Sequence, residues 1–187
     1  MKNILFALIL IFPLIVTLLC VSKVRDISSK LQYISEKPIA KENSKVKLYI
    51  DKHASKRRIY FFVKKDSEII QYKRNYRGLI TSWNVVSKNK DFVYENQLSF
   101  YTNLSKPDDD NEVPFFSLNN EKKNFDYYSD IFQYVKENYF FYLLVICLIY
   151  VVGSGWILDY LGGVTQYKTM GILFFFDVLY LVILLFW

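Results

Sequence analysis

The residue most pressed to do chemistry in this chain is Asp177. It sits near the middle of Met170–Trp187, an otherwise apolar run. An acid at that depth in a membrane is costly, so it usually faces a partner, a cavity or an ion path. The other apolar runs offer it no Lys or Arg. Hydroxyls are left as internal partners, with the acid protonated: Thr17, Tyr142, Tyr150 or Tyr180. Asp177 is then either a hydrogen-bonded acid that orients its helix or a working site. The working site would carry an ion or proton, or pair with a basic residue of another subunit.

The second constellation is basic and aromatic. Lys52, Lys56, Arg57, Arg58, Lys64, Lys65, Lys73, Arg74 and Arg77 cluster around Tyr60, Phe61, Phe62, Tyr72 and Tyr76. Such interleaving could hold single-stranded nucleic acid or rest on anionic headgroups. The aromatics are also needed to fill a small core, so solvated turns and sheet faces are the plainer reading. Lys56, Arg57, Arg58, Lys73, Arg74 and Arg77 are the candidates for anionic-lipid contact. No motif supports nucleic acid as a partner.

The remaining groups point to little chemistry. Asp108, Asp110 and Glu112 alternate as Ca²⁺ ligands sometimes do, but lack the glycine and full ligand set of an EF-hand loop. They read as a solvated acidic loop. His53 is the only histidine and falls in an expected turn. Cys20 and Cys147 lie in apolar runs, which gives neither a disulfide framework nor zinc spacing. There is no Gly-rich phosphate loop and no serine elbow. We therefore expect no catalytic residues, no cofactor and no metal. Gly153-Ser154-Gly155 reads as a flexible helix end, or as a place where helices approach closely. Asn103-Leu104-Ser105 is a glycosylation sequon, of use only in a lumenal eukaryotic loop.

The elements that must position these residues start with the apolar runs. Tyr139–Leu158 has no charged residue, and its length suits a helix crossing a bilayer core. Met170–Trp187 is a second such run, and residues 159–169, with Gly162, Gly163, Asp159 and Lys168, read as the turn between them. Together they predict a transmembrane hairpin that ends at the last residue. Ile4–Val21 is a further apolar run. Its length, and the lack of a small-residue cleavage site after it, favour an uncleaved transmembrane helix kinked at Pro13 over a signal peptide.

Between the runs the character changes. Val24, Ile27, Leu31 and Ile34 fall on one helical face, which predicts an amphipathic stalk ending at Pro38. Val46–Ile50, Arg58–Lys64, Glu68–Lys73, Leu79–Val86 and Phe92–Thr102 are short runs rich in Val, Ile, Tyr, Phe and Trp with polar breaks between them. They predict an antiparallel meander, a small sandwich or barrel-like sheet. With no helical crossover in sight, a parallel pair is not expected. Val113–Leu118 reads as a last edge strand, where Pro114 is tolerated. Phe125, Tyr128, Phe132, Val135 and Tyr139 predict a second stalk helix. The expected fold is three transmembrane helices flanking a small antiparallel β domain on helical stalks. Its parts are 1–22, 23–44, 45–124, 125–138, 139–158, 159–169 and 170–187.

Charge bears on location. Of 24 basic and 18 acidic residues, all but Lys2, Lys168, Asp159 and Asp177 fall within residues 23–138. Lys and Arg flanking the helices on that side place the β domain in the cytoplasm, although so long a loop weakens the rule. We read a multi-pass membrane protein of the bacterial inner (plasma) membrane. Its expected role is non-catalytic protein–protein interaction: an accessory subunit, an assembly factor or an immunity-type protector. The partner would be another membrane protein or further copies of this chain. The alternative is a small oligomeric ion or proton transport component with Asp177 in its path.

Overall fold

The structure, a computed structural model, describes residues 2–41, 44–53, 56–65, 68–77, 87–103, 112–160 and 168–186. Its elements are helix α1 (Lys2–Lys30), strands β1 (Gln32–Glu36), β2 (Pro38–Ile39), β3 (Leu48–His53), β4 (Lys56–Lys65), β5 (Glu68–Arg77), β6 (Leu98–Thr102) and β7 (Glu112–Phe116), and helices α2 (Phe125–Asn138), α3 (Phe140–Tyr160) and α4 (Lys168–Phe186). A helical turn at Lys90–Phe92 precedes β6. Among the described residues, three helical stretches are long and apolar enough to cross a membrane: Phe6–Lys30, Phe140–Tyr160 and Lys168–Leu185. The layout is membrane-length helices flanking a β domain. The chain divides into two compact units, one of Val24–Tyr134 and one of Met1–Lys23 with Val135–Trp187.

In the β unit the strand path runs β1-β6-β7-β5-β4-β2, and β3 also pairs with β4. The first and last strands of that path are separated in sequence by Lys37 alone. One residue joins the two ends of the path, so the sheet bends far enough to bring β1 and β2 next to each other. Alternation fills the inside. Ile59, Phe61 and Val63 of β4 meet Leu48, Tyr72, Tyr76, Leu98, Phe100, Val113 and Phe115 in one core. Aromatic rings dominate it, with Phe61 against Phe100 at 5.0 Å and Tyr72 against Phe100 at 4.7 Å between centroids.

The sheet is mixed, which corrects the antiparallel expectation. β5 and β7 run parallel, with Tyr72 opposite Val113. The crossover that a parallel pair needs is the excursion from residue 78 to 111. It contains β6, which pairs antiparallel with β7 on the other side. β7 is thus an interior strand, not an edge. Pro114 is accommodated because the β6 ladder stops at Phe115, opposite Thr102. The Pro114 carbonyl instead accepts the Thr102 hydroxyl at 2.9 Å.

Other boundaries shift. α1 ends at Lys30, and Ile34 lies in β1, so the first stalk stops before Pro38. Once β6 offers a ladder, Gln32–Glu36 pairs with it over five residues and leaves the helix. Of Phe92–Thr102, Leu98–Thr102 is strand. Leu79–Val86 lies outside the described residues. His53 closes β3 and does not sit in a turn.

α2 is helical where a stalk was expected, and its buried face keeps Val135 of the expected stripe but not Phe125 or Tyr128. Asn124 caps it, its side-chain oxygen accepting the Tyr127 amide at 3.1 Å. Tyr127 and Ile131 are fully buried, while Phe125 is 84% exposed and Tyr128 is exposed too. Within the β unit, Tyr127 packs on Tyr101 at 4.6 Å and Tyr134 on Phe116 at 5.0 Å. These contacts rotate the helix away from the face that Phe125 and Tyr128 define.

Candidate functional site: the polar cluster among the apolar helices

The helical unit is apolar almost throughout, so its few polar groups stand out. Pro13 lies inside α1. In a helix the amide of residue 13 would donate to the carbonyl of Ile9, but proline has no N–H. That carbonyl is met by Tyr150 of α3, whose hydroxyl donates to Ile9 O at 3.1 Å. Neighbouring helices commonly re-satisfy groups freed by proline in this way. Tyr150 is buried. Its ring stacks flat on Phe12 of α1, 4.5 Å between centroids and 3° between planes, and tilts against Phe174 of α4 at 6.0 Å.

Asp177 of α4 reaches the same hydroxyl. Its Oδ2 lies 3.3 Å from the Tyr150 oxygen. One helical turn further along α4, the Tyr180 hydroxyl lies 2.6 Å from Thr17 Oγ1. Thr17 in turn donates to the Pro13 carbonyl at 2.9 Å. Two hydrogen-bond chains thus leave one face of α4 and end on carbonyls of α1, at Ile9 and at Pro13. Tyr142, the remaining hydroxyl considered as a partner, is 67% exposed.

No family model, curated protein or solved structure matches this chain. What the site can do is therefore read from its geometry.

The basic constellation is divided by the sheet. Cross-strand register puts Lys56, Arg58, Lys73 and Arg77 on one face, because Lys56 opposes Arg77 and Tyr60 opposes Lys73. Arg57 and Arg74 fall on the other face, alternating with Ile59 and with Tyr72 and Tyr76. The side chain of Lys56 lies outside the described residues. Arg58 and Arg77 are exposed, and Arg57 and Lys73 are half-buried. Lys73 pairs with Glu112. Arg74 is 2% exposed, which removes it from any lipid-contact surface. It is turned inward because β5 alternates, and Arg74 shares the parity of Tyr72 and Tyr76.

Arg74 has its own site inside the β unit. One terminal nitrogen donates to the Asp130 carbonyl at 2.8 Å and lies 3.4 Å from the Asp130 carboxylate. Its guanidinium is caged by Tyr134 at 4.7 Å, Tyr76 at 4.9 Å and Phe116 at 5.2 Å. The second Asp130 oxygen accepts the Ser117 amide at 2.8 Å. Ser117 has φ 54°, a left-handed conformation that a side chain disfavours. Asp130 thus pins a strained turn and holds a buried cation with one carboxylate. The signal in the sequence is the period-two parity of Tyr72, Arg74 and Tyr76.

The remaining candidates are placed as follows. Cys20 and Cys147 are free and buried. A Cβ at Gly153 or Gly155 would meet nothing within 4 Å, so among the described residues no other helix of this chain presses on them. Ser154 between them is buried. Asp108 and Asp110 lie outside the described residues, as do Leu104 and Ser105 of the sequon. Lys136, in the last turn of α2, is buried. That burial lowers its pKa, with Glu137 acting against the shift.

Proposed function

We propose that this chain is a non-catalytic, multi-pass integral membrane protein of the bacterial inner (plasma) membrane type, which acts by holding another protein. An accessory subunit, an assembly factor and an immunity-type protector all fit that role. The observation that carries the reading is where Asp177 spends its hydrogen-bonding capacity. Its carboxyl meets Tyr150 of the same chain, and Tyr150 is anchored to Ile9. An acid engaged in tying helices together does not need a cation from another subunit. The surroundings agree: only 11% of the α4 span is buried within the chain, which leaves apolar faces for lipid or for a partner's helices. In the β unit, the charges brought together, Arg74 with Asp130 and Lys73 with Glu112, are ion pairs that hold elements in place.

Purification in mild detergent, followed by mass spectrometry of what accompanies the chain, tests the proposal. Foreign subunits in stoichiometric amount are expected. A lone homo-oligomer would shift the case to transport, the reading favoured by the line of polar groups at Asp177, Tyr150, Tyr180 and Thr17. Transport has its own test, an Asp177→Asn variant in a proteoliposome flux assay. On the proposal made here that variant moves no fewer ions or protons than the wild type.

A further inference from the structure

We infer that Tyr150 and Asp177 form a hydrogen-bond latch built around the proline of the first membrane helix. Tyr150 gives its hydroxyl hydrogen to the Ile9 carbonyl, and Asp177, as the protonated acid, gives its hydrogen to the Tyr150 oxygen. The latch is complete within one chain and needs no partner.

The hydrogens available decide the direction of each bond. A tyrosine hydroxyl has one hydrogen and can also accept. Three oxygens lie within its reach: Ile9 O at 3.1 Å, Asp177 Oδ2 at 3.3 Å and the hydroxyl of Ser154, which can itself donate to the Tyr150 oxygen and leaves the one Tyr150 hydrogen for a carbonyl. A peptide carbonyl only accepts, so if Tyr150 serves Ile9 the hydrogen between Tyr150 and Asp177 must come from the acid. The opposite assignment, with Tyr150 donating to a carboxylate, leaves the Ile9 carbonyl without the donor that Pro13 cannot supply. In an apolar surrounding, with no water to take its place, an orphaned backbone carbonyl is strongly disfavoured.

The sequence also withholds a counter-charge. Neither Phe6–Val21 of α1 nor Phe140–Leu158 of α3 contains a Lys or Arg. A carboxylate here would have no cation in the neighbouring spans. The companion chain one turn along α4 agrees in direction. Thr17 donates to the Pro13 carbonyl, so the hydrogen between Tyr180 and Thr17 comes from Tyr180. Both chains then run from α4 towards the carbonyls of α1. Stacking on Phe12 fixes the Tyr150 ring so that its hydroxyl stays at the junction.

The test is a double-mutant cycle between Pro13 and Tyr150 on the full chain in detergent, read by thermal unfolding. Pro13→Ala restores an amide for the Ile9 carbonyl. Tyr150→Phe should lower the unfolding midpoint by several degrees in the wild-type background, and by less than half as much in the Pro13→Ala background. An equal loss in both backgrounds would overturn the link through Ile9. For the acid, Asp177→Asn retains a hydrogen to donate and should unfold like the wild type, whereas Asp177→Leu, which leaves the Tyr150–Ile9 bond in place, should unfold below Asp177→Asn but lose less than Tyr150→Phe. If Asn and Leu were equally damaging, the protonated-acid half would fall. Infrared difference spectra between wild type and Asp177→Asn give a second reading that does not depend on stability. The carbonyl stretch of a protonated carboxyl should be present in the wild type and missing in the variant, and a carboxylate band in its place would contradict the latch.

Discussion

Arg74 brings a positive charge into the interior of the β unit, and Asp130 is the residue that makes this tolerable. Removing one partner of a buried pair leaves the other uncompensated and costs about 3–5 kcal/mol. Asp130→Ala should therefore destabilise the β unit by about 3 kcal/mol or more, measured by denaturant unfolding followed through its tyrosine signal. Asp130→Asn keeps an acceptor for the Ser117 amide and should lose less. The two buried polar sites differ in how far the sequence discloses them. Asp177 announces itself because a single acid interrupts an apolar run, and Tyr150 is among the few hydroxyls able to meet it. That it meets Tyr150 and not Thr17 or Tyr142 depends on how the helices rotate, which periodicity does not fix. In the sequence Pro13 signals a kink alone, since its freed carbonyl becomes informative only when a hydroxyl is seen beside it. Charge groups Arg74 with the surface cations, although its strand parity argues for the inside.

At the scale of elements, burial decides which face of α2 matters. Ile131→Ala should cost about 2–5 kcal/mol of β-unit stability, because Ile131 is fully buried. Phe125→Ala should change it little, since Phe125 is 84% exposed. Unfolding curves of the two variants check the face directly, and the reverse ranking would restore the stripe that sequence spacing suggests. Tyrosine burial gives a pH prediction for the same unit. Burial raises the pKa of Tyr72, Tyr101 and Tyr127 above the usual 10.0. Tyr101 donates to the Glu121 carbonyl at 2.6 Å, and Tyr127 shares a hydrogen with Ser28 at 2.9 Å. A raised pKa means that the stabilisation is complete below the unfolded value and is lost as pH climbs through the folded one. The β unit should hold to about pH 10 and unfold above it, with the last part of the tyrosinate absorbance, that of the buried rings, rising together with the loss of structure. Absorbance that ran to completion while the fold persisted would contradict this. Most strands are legible from alternation and turn residues. The parallel β5–β7 pair is not, because the crossover between them carries β6, a strand of the same sheet. The end of α1 is not either, because its apolar spacing runs on into residues that β6 recruits as a strand.

For the whole molecule, length and hydropathy carry the reading furthest: three apolar helices and an intervening β domain follow from where charge is absent. The apolar runs that composition marks out coincide with α1, α3 and α4 because nothing local competes with the helix there. The bend of the sheet is beyond the reach of pattern, since it depends on the single residue between β1 and β2 joining the two ends of the strand path. Above all, α1, α3 and α4 should each cross the bilayer. The most direct measurement is the sidedness of single cysteines in a background with Cys20 and Cys147 replaced by alanine, labelled in sealed vesicles with a membrane-impermeant reagent. Three crossings predict that Lys2→Cys and Lys168→Cys are labelled from one side and Lys122→Cys from the other. Labelling of all three from the same side, or release of the chain from the membrane fraction at alkaline pH, would contradict the account.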